Sequence, residues 1–359
     1  MQRLGSQFAP FITHYLAQWR PYRPFWNYED GCIFKGCLEL AAATGESRFR
    51  DFVLRAVSVR VAADGALQGY DPDEFNIDHV ASGKVLFPLL SWTGEQRFRS
   101  AIERQEGQLD RHPRTKSGNF WHKKIYPHQV WLDGLYMAQP FRCAYAALTN
   151  RPEILDDMLR QFAHVHEVMR EGETGLYYHG WDESRLERWS NPATGCSPCF
   201  WGRAMGWYAM ALVDCAELTA EGTANAQRPL VTLLRETSEA LMRVRSPRGL
   251  WFQVLDQGSR AGNYEEASAS LMFAYALMKG ARLKLLPSAL GDAGWQTLCA
   301  CVDVFLTDRA LSGICGVAGL GNVPYRDGSY AYYLSEPVVA NDPKGVGALF
   351  MALSEGLRR

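Results

Sequence analysis

An all-helical protein is predicted by two features of the chain. Apolar residues recur at threes and fours over most of its length, and a helix-ending motif built on Thr returns at intervals of roughly 50 to 70 residues. Segments such as FKGCLELAAATG, FRDFVLRAVSVRVA, FRCAYAALTN and ASLMFAYALMKGARLKLL carry the helical period, while alternating strand-like runs are few and short. The recurring motif reads AATGESRFRDFV at Thr44, SWTGEQRFRSAI at Thr93 and ALTNRPEILDDML at Thr149, with a degenerate copy, ELTAEG, near Thr219. Gly or Asn after the Thr supplies a left-handed C-cap, so each copy ends one helix and opens a fresh amphipathic one. Hairpins repeated in this way stack as an open solenoid or close into a ring, and the pattern alone does not choose between them.

The chain has 359 residues, 47% of them hydrophobic, enough for a large core. No Pro/Ser linker or charge run divides it, so one domain over 1–359 is expected. Net charge is -1, from 38 basic and 39 acidic residues, which points away from nucleic acid and from a membrane surface. The longest apolar run, near 271–278, is too short to span a bilayer. The N-terminal MQRLGSQFAPFITHYLAQWRP has no apolar core or cleavage site of a signal peptide, and nine Cys is an odd number. Reduced thiols and a cytoplasmic location are therefore expected.

Between the helices lie long loops rich in Gly, Pro and aromatic residues, at 69–76, 111–129, 172–198, 246–263 and 313–343. Loops of such length are usually functional. The stretch 126–141, YPHQVWLDGLYMAQPF, sets Asp133 among aromatic and apolar residues. Desolvation of a carboxylate there disfavours its charged form, as a proton donor requires; the plain alternative is an N-cap, because a helix reads as opening just after Asp133. Asp78, in NIDHVASGKVLF, is either a second pocket carboxylate or the cap of a helix beginning near His79. His179 and Asp182, in HGWDES, suit the lining of a loop-built pocket. Arg203 and Trp207, four apart in FWGRAMGWYAMAL, share one helix face, where a guanidinium can hold a sugar carboxylate and an indole can cover the ring; the alternative is a buried Arg satisfying a neighbouring loop.

These stretches, with GLWFQVLDQGSRAGNYEEASAS and VAGLGNVPYRDGSYAYYLSEPVVANDPKGVGA, resemble the unsaturated rhamnogalacturonyl hydrolases, glycoside hydrolase family 105, in the same order from about residue 76 to the C-terminus. The resemblance implies an (α/α)6 barrel with the active site at one mouth. It implies Asp133 as general acid/base and Asp78, His179, Arg203, Trp207, Lys123 and His122 in the pocket, with Trp131 and Trp251 among its walls and Tyr28 as a further, more loosely matched position. It also implies a substrate carrying a terminal 4,5-unsaturated uronic acid, and a reaction with no metal or organic cofactor. Two alternatives stand beside it: an unsaturated glucuronyl hydrolase acting on glycosaminoglycan or ulvan lyase products, and a catalytically silent carbohydrate-binding barrel. The oligomeric state is left open.

Three other patterns are set aside. Cys196 and Cys199 have the spacing of a zinc half-site without a second pair, His164 and His166 point to different helix faces, and Gly319-Leu-Gly321 precedes no helix start.

Overall fold

A computed structural model describes residues 2–220 and 224–359. Helices alternate between an outer and an inner layer along the chain. In order they are α1 (Gln2–Gln18), α2 (Tyr28–Thr44), α3 (Ser47–Ser58), α4 (Leu86–Thr93), α5 (Gln96–Asp110), α6 (Gly134–Thr149), α7 (Glu153–Met169), α8 (Gly202–Leu218), α9 (Ala224–Arg243), α10 (Ala267–Arg282), α11 (Ser288–Phe305), α12 (Tyr330–Ser335) and α13 (Pro343–Leu357). A 3-10 run, Ile77–Val85, leads into α4. Among the described residues, strands are confined to two antiparallel pairs: β1 (Gln129–Trp131) with β2 (Gly180–Asp182), and β3 (Ile314–Cys315) with β4 (Val338–Val339).

The even-numbered helices from α2 to α10, with α13, form the inner layer. Each packs on the next, the 3-10 run making the contacts to α2 and α6 ahead of α4, and α13 packs back on α2, so the hairpins close into a ring. Closure settles the choice that periodicity leaves open. The inner helices are apolar on nearly every side because they touch neighbours all round: α8 is buried from Gly202 to Ala216, and α10 from Ala267 to Gly280. The outer helices show one apolar stripe. In α3 it is Phe49, Val53 and Val57, four residues apart and turned inward.

The Thr motif marks the far ends of four inner helices. Thr44, Thr93, Thr149 and Thr219 each donate the side-chain hydroxyl to the carbonyl four residues back, at 2.7–2.9 Å. Gly45, Gly94 and Asn150 follow with φ of 74°, 68° and 54°, the expected left-handed caps. Thr219 itself stays right-handed, and the last two residues of ELTAEG lie outside the described residues.

Ring closure depends on close approach of the first and last inner helices. A Cβ at Gly347 of α13 would lie 2.5 Å from the carbonyl oxygen of Cys32 in α2, and one at Gly36 would lie 2.7 Å from Cβ of Phe350. Gly347→Ala is therefore expected to force α13 outward and destabilise the protein by about 1–3 kcal/mol, the usual cost of overpacking. A thermal melt of the variant against wild type checks this; an unchanged midpoint would mean that the seam has slack.

Candidate active site

The inner helices start at one end of the ring, and the residues singled out in the sequence sit at those starts. Tyr28 is the first residue of α2, Asp78 the second of the 3-10 run, Asp133 directly precedes α6, and Arg203 is the second of α8. The long loops lead into the same ends and build the rim.

Capping does not consume either carboxylate. Asn76 caps the 3-10 run, its side chain accepting from Asp78 N at 3.1 Å, which leaves the Asp78 carboxyl free to turn inward. Asp133 holds the N-cap position of α6 with φ -65° and ψ -24°, yet its side chain caps nothing. The two carboxyls face each other: a carboxylate oxygen of each, together with a ring nitrogen of His122, lie within 4.8 Å of one another.

Cations are distributed unequally across this pair. Lys123 Nζ lies 2.6 Å from Asp78 Oδ2, and His122 Nε2 lies 3.4 Å from Asp78 Oδ1. Burial opposes ionisation of Asp78, but the charge of Lys123 and its hydrogen bond, joined by His122 only when that ring is protonated, outweigh it and hold the carboxyl below its ordinary range. Burial likewise disfavours the Lys123 ammonium, and Asp78 more than offsets it, so Lys123 titrates above its ordinary value. Among the described residues no Lys or Arg pairs with Asp133, whose neighbour is His179 Nε2, 3.7 Å from Oδ1.

Short backbone pairings set this geometry. Asn76 bridges Lys123 in antiparallel fashion, and His122 N donates to Gln129 O at 2.8 Å, which ties the 3-10 run to β1 through the 111–129 loop. The β1–β2 ladder pairs Trp131 with Gly180, and Leu132 N donates to His179 O at 2.9 Å, so His179 is delivered beside Asp133. His179 is fully buried, with Nδ1 2.7 Å from the Tyr333 hydroxyl. That contact fixes the ring and leaves Nε2 aimed at Asp133. Among the described residues, the buried atoms Asp78 Oδ1, Asp133 Oδ1, His122 Nδ1 and His179 Nε2 have no hydrogen-bond partner, so their hydrogen-bonding capacity is unused within the protein.

Several expectations need correction. His122 is buried and stacks on Trp131 at 4.3 Å; burial depresses its pKa despite Asp78 and Asp133, so it adds no positive charge at neutral pH. Trp131 is itself 5% exposed, stacked on Tyr126 at 4.7 Å, and supports His122 from behind. Arg203 turns away from the carboxyl pair into an ion pair with Glu266, at 3.3 Å. Its Nε also donates to Ser268 at 2.8 Å, and its other nitrogens reach the carbonyls of Cys315 and Gly316. Its charge is thus spent on joining α8, α10 and β3. Trp207 is 2% exposed and stacks on Tyr136 at 4.7 Å, one helical turn deeper than Asp133 and Arg203. Trp251 is fully buried against Phe273. Asp182 organises its own loop, accepting from the backbone of Ser184, Leu186 and Glu187. Tyr28 remains at the mouth, partly exposed, with Asp78 among the charges that raise its pKa after burial and Glu29. Tyr333, absent from the sequence-based candidates, lies 154 residues from His179; only its place in the family-like stretch that contains SYAYYLS hinted at a role.

Asp78, His122 and Asp133 also have a spacing that admits a metal ion. A cation bound there would compete with the Lys123 ammonium for Asp78, which makes the set a poor metal centre.

A helical ring carrying two facing carboxyls at its mouth defines a barrel-type glycoside hydrolase. The chain belongs to Glycosyl Hydrolase Family 88, which matches residues 10–359, and it groups with family 105 as the sequence blocks anticipated. A solved family 105 glycoside hydrolase from C. acetobutylicum ATCC 824 is 41% identical, with a TM-score of 0.92 over 96% of this chain and 98% of that one. The unsaturated rhamnogalacturonyl hydrolase YesR of Bacillus subtilis is 30% identical over 264 residues, 72% of each chain. An unsaturated glucuronyl hydrolase from Bacillus sp. GL1, responsible for glycosaminoglycan degradation, shares the fold at 14% identity and a TM-score of 0.68, covering 92% of this chain and 86% of its own.

Lys123→Met tests the electrostatic arrangement. A group whose pKa is depressed stays ionised until the pH falls through that depressed value, so without Lys123 the Asp78 titration moves up. The acidic limb of the kcat/KM profile is expected to shift to higher pH by about one unit. A limb that stays in place would mean that Asp78 ionisation does not govern activity.

Proposed function

We propose that the enzyme releases the terminal 4,5-unsaturated uronic acid from rhamnogalacturonan oligosaccharides left by a polysaccharide lyase, with Asp133 as the general acid and base. The observation that carries this reading is the asymmetry of the facing carboxyls, one paired with Lys123 and the other without a Lys or Arg partner among the described residues. An ordinary glycosidase needs two carboxyls acting on C1. A substrate with a C4=C5 bond needs fewer parts, because that bond belongs to a vinyl ether.

In this mechanism Asp133 donates its proton to C4, and positive charge develops at C5, shared with the ring oxygen. Water adds at C5 and returns a proton to Asp133. The hemiketal opens to a C5 ketone, and the hemiacetal left at C1 then collapses and releases the aglycone. Asp78, held ionised, orients the substrate and stabilises the developing cation. Lys123 gives one of its three donors to Asp78 and can offer another to the uronate carboxylate. His179, held by Tyr333, orients Asp133 and the water.

Rhamnogalacturonan is preferred to glycosaminoglycan fragments because the relative with that printed activity is 30% identical, whereas the glucuronyl hydrolase shares the fold alone. Nine cysteines without a disulfide fit a reducing, cytoplasmic setting, and no described helix is long and apolar enough to cross a membrane.

The test follows the ultraviolet absorbance of the conjugated double bond. With an unsaturated rhamnogalacturonan disaccharide the absorbance is expected to decay, and in Asp133→Asn the rate should fall by about 10² to 10⁴-fold. Decay only with an unsaturated glycosaminoglycan disaccharide would move the substrate class, and full activity in the variant would overturn the assignment of Asp133.

A further inference from the structure

The opposite end of the ring contains a second cavity, of about 290 Å³, between α2, the 3-10 run, α4, α6, α8 and α10. Its walls are mainly apolar, with Leu38, Phe87, Pro88, Trp92, Pro140 and Leu218 facing it. Ala42 and Trp92 are exposed and open the rim to solvent. Tyr136 separates it from the carboxyl pair: its ring lies over Lys84 Nζ, 3.3 Å from the ammonium to the centroid, while its other contacts include the Trp207 stack one turn below Asp133.

Charge in this cavity is nearly balanced. Glu39 pairs with Lys35 and with Arg358, Asp214 with Lys279 at 2.6 Å, and Glu217 with Lys279 at 2.7 Å and Arg282 at 3.5 Å. Lys84 is the exception. Among the described residues it has no carboxylate at ion-pair distance, and its named partner is a carbonyl, Tyr136 O, at 3.0 Å. An ammonium gives three hydrogen bonds; one goes to Tyr136 O and the Tyr136 ring covers part of the rest, which leaves donor capacity and an unpaired charge for a ligand. Burial pushes the Lys84 amine down to about 7, with Asp214 opposing that shift and Lys35 adding to it. A buried amine of this kind gains its counter-charge from whatever enters beside it.

We propose that this cavity is a binding site for a small organic monoanion, an apolar carboxylate whose charge pairs with Lys84 and whose body lies against Phe87, Trp92 and Leu218. The volume sits at the low end of ligand pockets and is about twice that of a cavity that holds benzene, so the ligand has the size of an aryl-substituted short-chain acid. The carbonyl ends of α2, α4 and α8 are directed to this side of the ring, and their partial negative charge disfavours a second anionic group. The site does not depend on Asp78 or Asp133 and stands whichever sugar the upper mouth accepts.

The test is calorimetric titration of the full-length protein at pH 8 with 3-phenylpropionate, its uncharged amide and two buffers of different ionisation enthalpy. The acid is expected to bind at least about 10-fold more tightly than the amide, and to draw close to one proton from the buffer as Lys84 becomes charged. Lys84→Met should weaken acid binding by about 10-fold or more and abolish the proton uptake, while leaving binding of the amide nearly unchanged. Ala144→Phe, which fills the cavity from α6 and keeps Lys84, should block both compounds. Equal affinity for acid and amide, unchanged acid binding in Lys84→Met, or no binding at all by the folded wild-type protein would overturn the proposal.

Discussion

Lys123 and Asp78 meet 2.6 Å apart at a mouth where both are largely removed from water, and the chemistry of the site follows from that pairing. A buried carboxylate without a cation would tend to take up a proton; with Lys123 beside it Asp78 stays ionised. Asp133, within 4.8 Å of it, has no Lys or Arg partner among the described residues. Two chemically identical side chains thereby sit in different electrostatic surroundings, and the proposed assignment of Asp133 as acid and base rests on that asymmetry. Removing Lys123 would erase the distinction, whereas the surrounding aromatic residues mainly preserve it by keeping water out.

The ring makes the pairing possible. Tyr28, Asp78, Asp133 and Arg203 stand at the starts of inner helical segments, so closing the ring gathers them at one mouth. Glycines at the α13–α2 seam let that closure occur at backbone contact distance. The buried Arg203–Glu266 pair then ties α8 to α10 and to the strand at Ile314–Cys315, just behind the site. Losing one member would strand an uncompensated charge in the interior, which makes this pair a structural fixture of the rim.

Much of this was readable in the chain. The Thr-Gly and Thr-Asn motifs marked the true ends of inner helices because a left-handed cap and a hydroxyl bonded to the preceding turn are local features. The long loops lead into the end of the ring where Asp78 and Asp133, both singled out from their surroundings in the sequence, face each other. What failed was long-range. Nothing near Arg203 reveals that Glu266, 63 residues away, takes its charge, and helical spacing cannot tell whether Trp207 faces a pocket or the ring of Tyr136. His122 beside Lys123 looks cationic in sequence, and the burial that folding imposes pushes its pKa down. Tyr333 escaped notice because its importance lies entirely in the nitrogen of His179 that it meets.

The central claim is that Asp133 protonates C4 of the unsaturated ring and that the glycosidic bond is lost afterwards, without attack on C1. The most direct measurement runs the reaction in D2O on an unsaturated rhamnogalacturonan disaccharide, stops it early with borohydride, and locates deuterium in the uronate by NMR. The account predicts one deuterium at C4 for every aglycone released, with both lost together when Asp133 is replaced by Asn. Aglycone released while C4 carries no deuterium and the double bond survives would contradict it, and would return the pair of carboxyls to the ordinary two-residue glycosidase scheme.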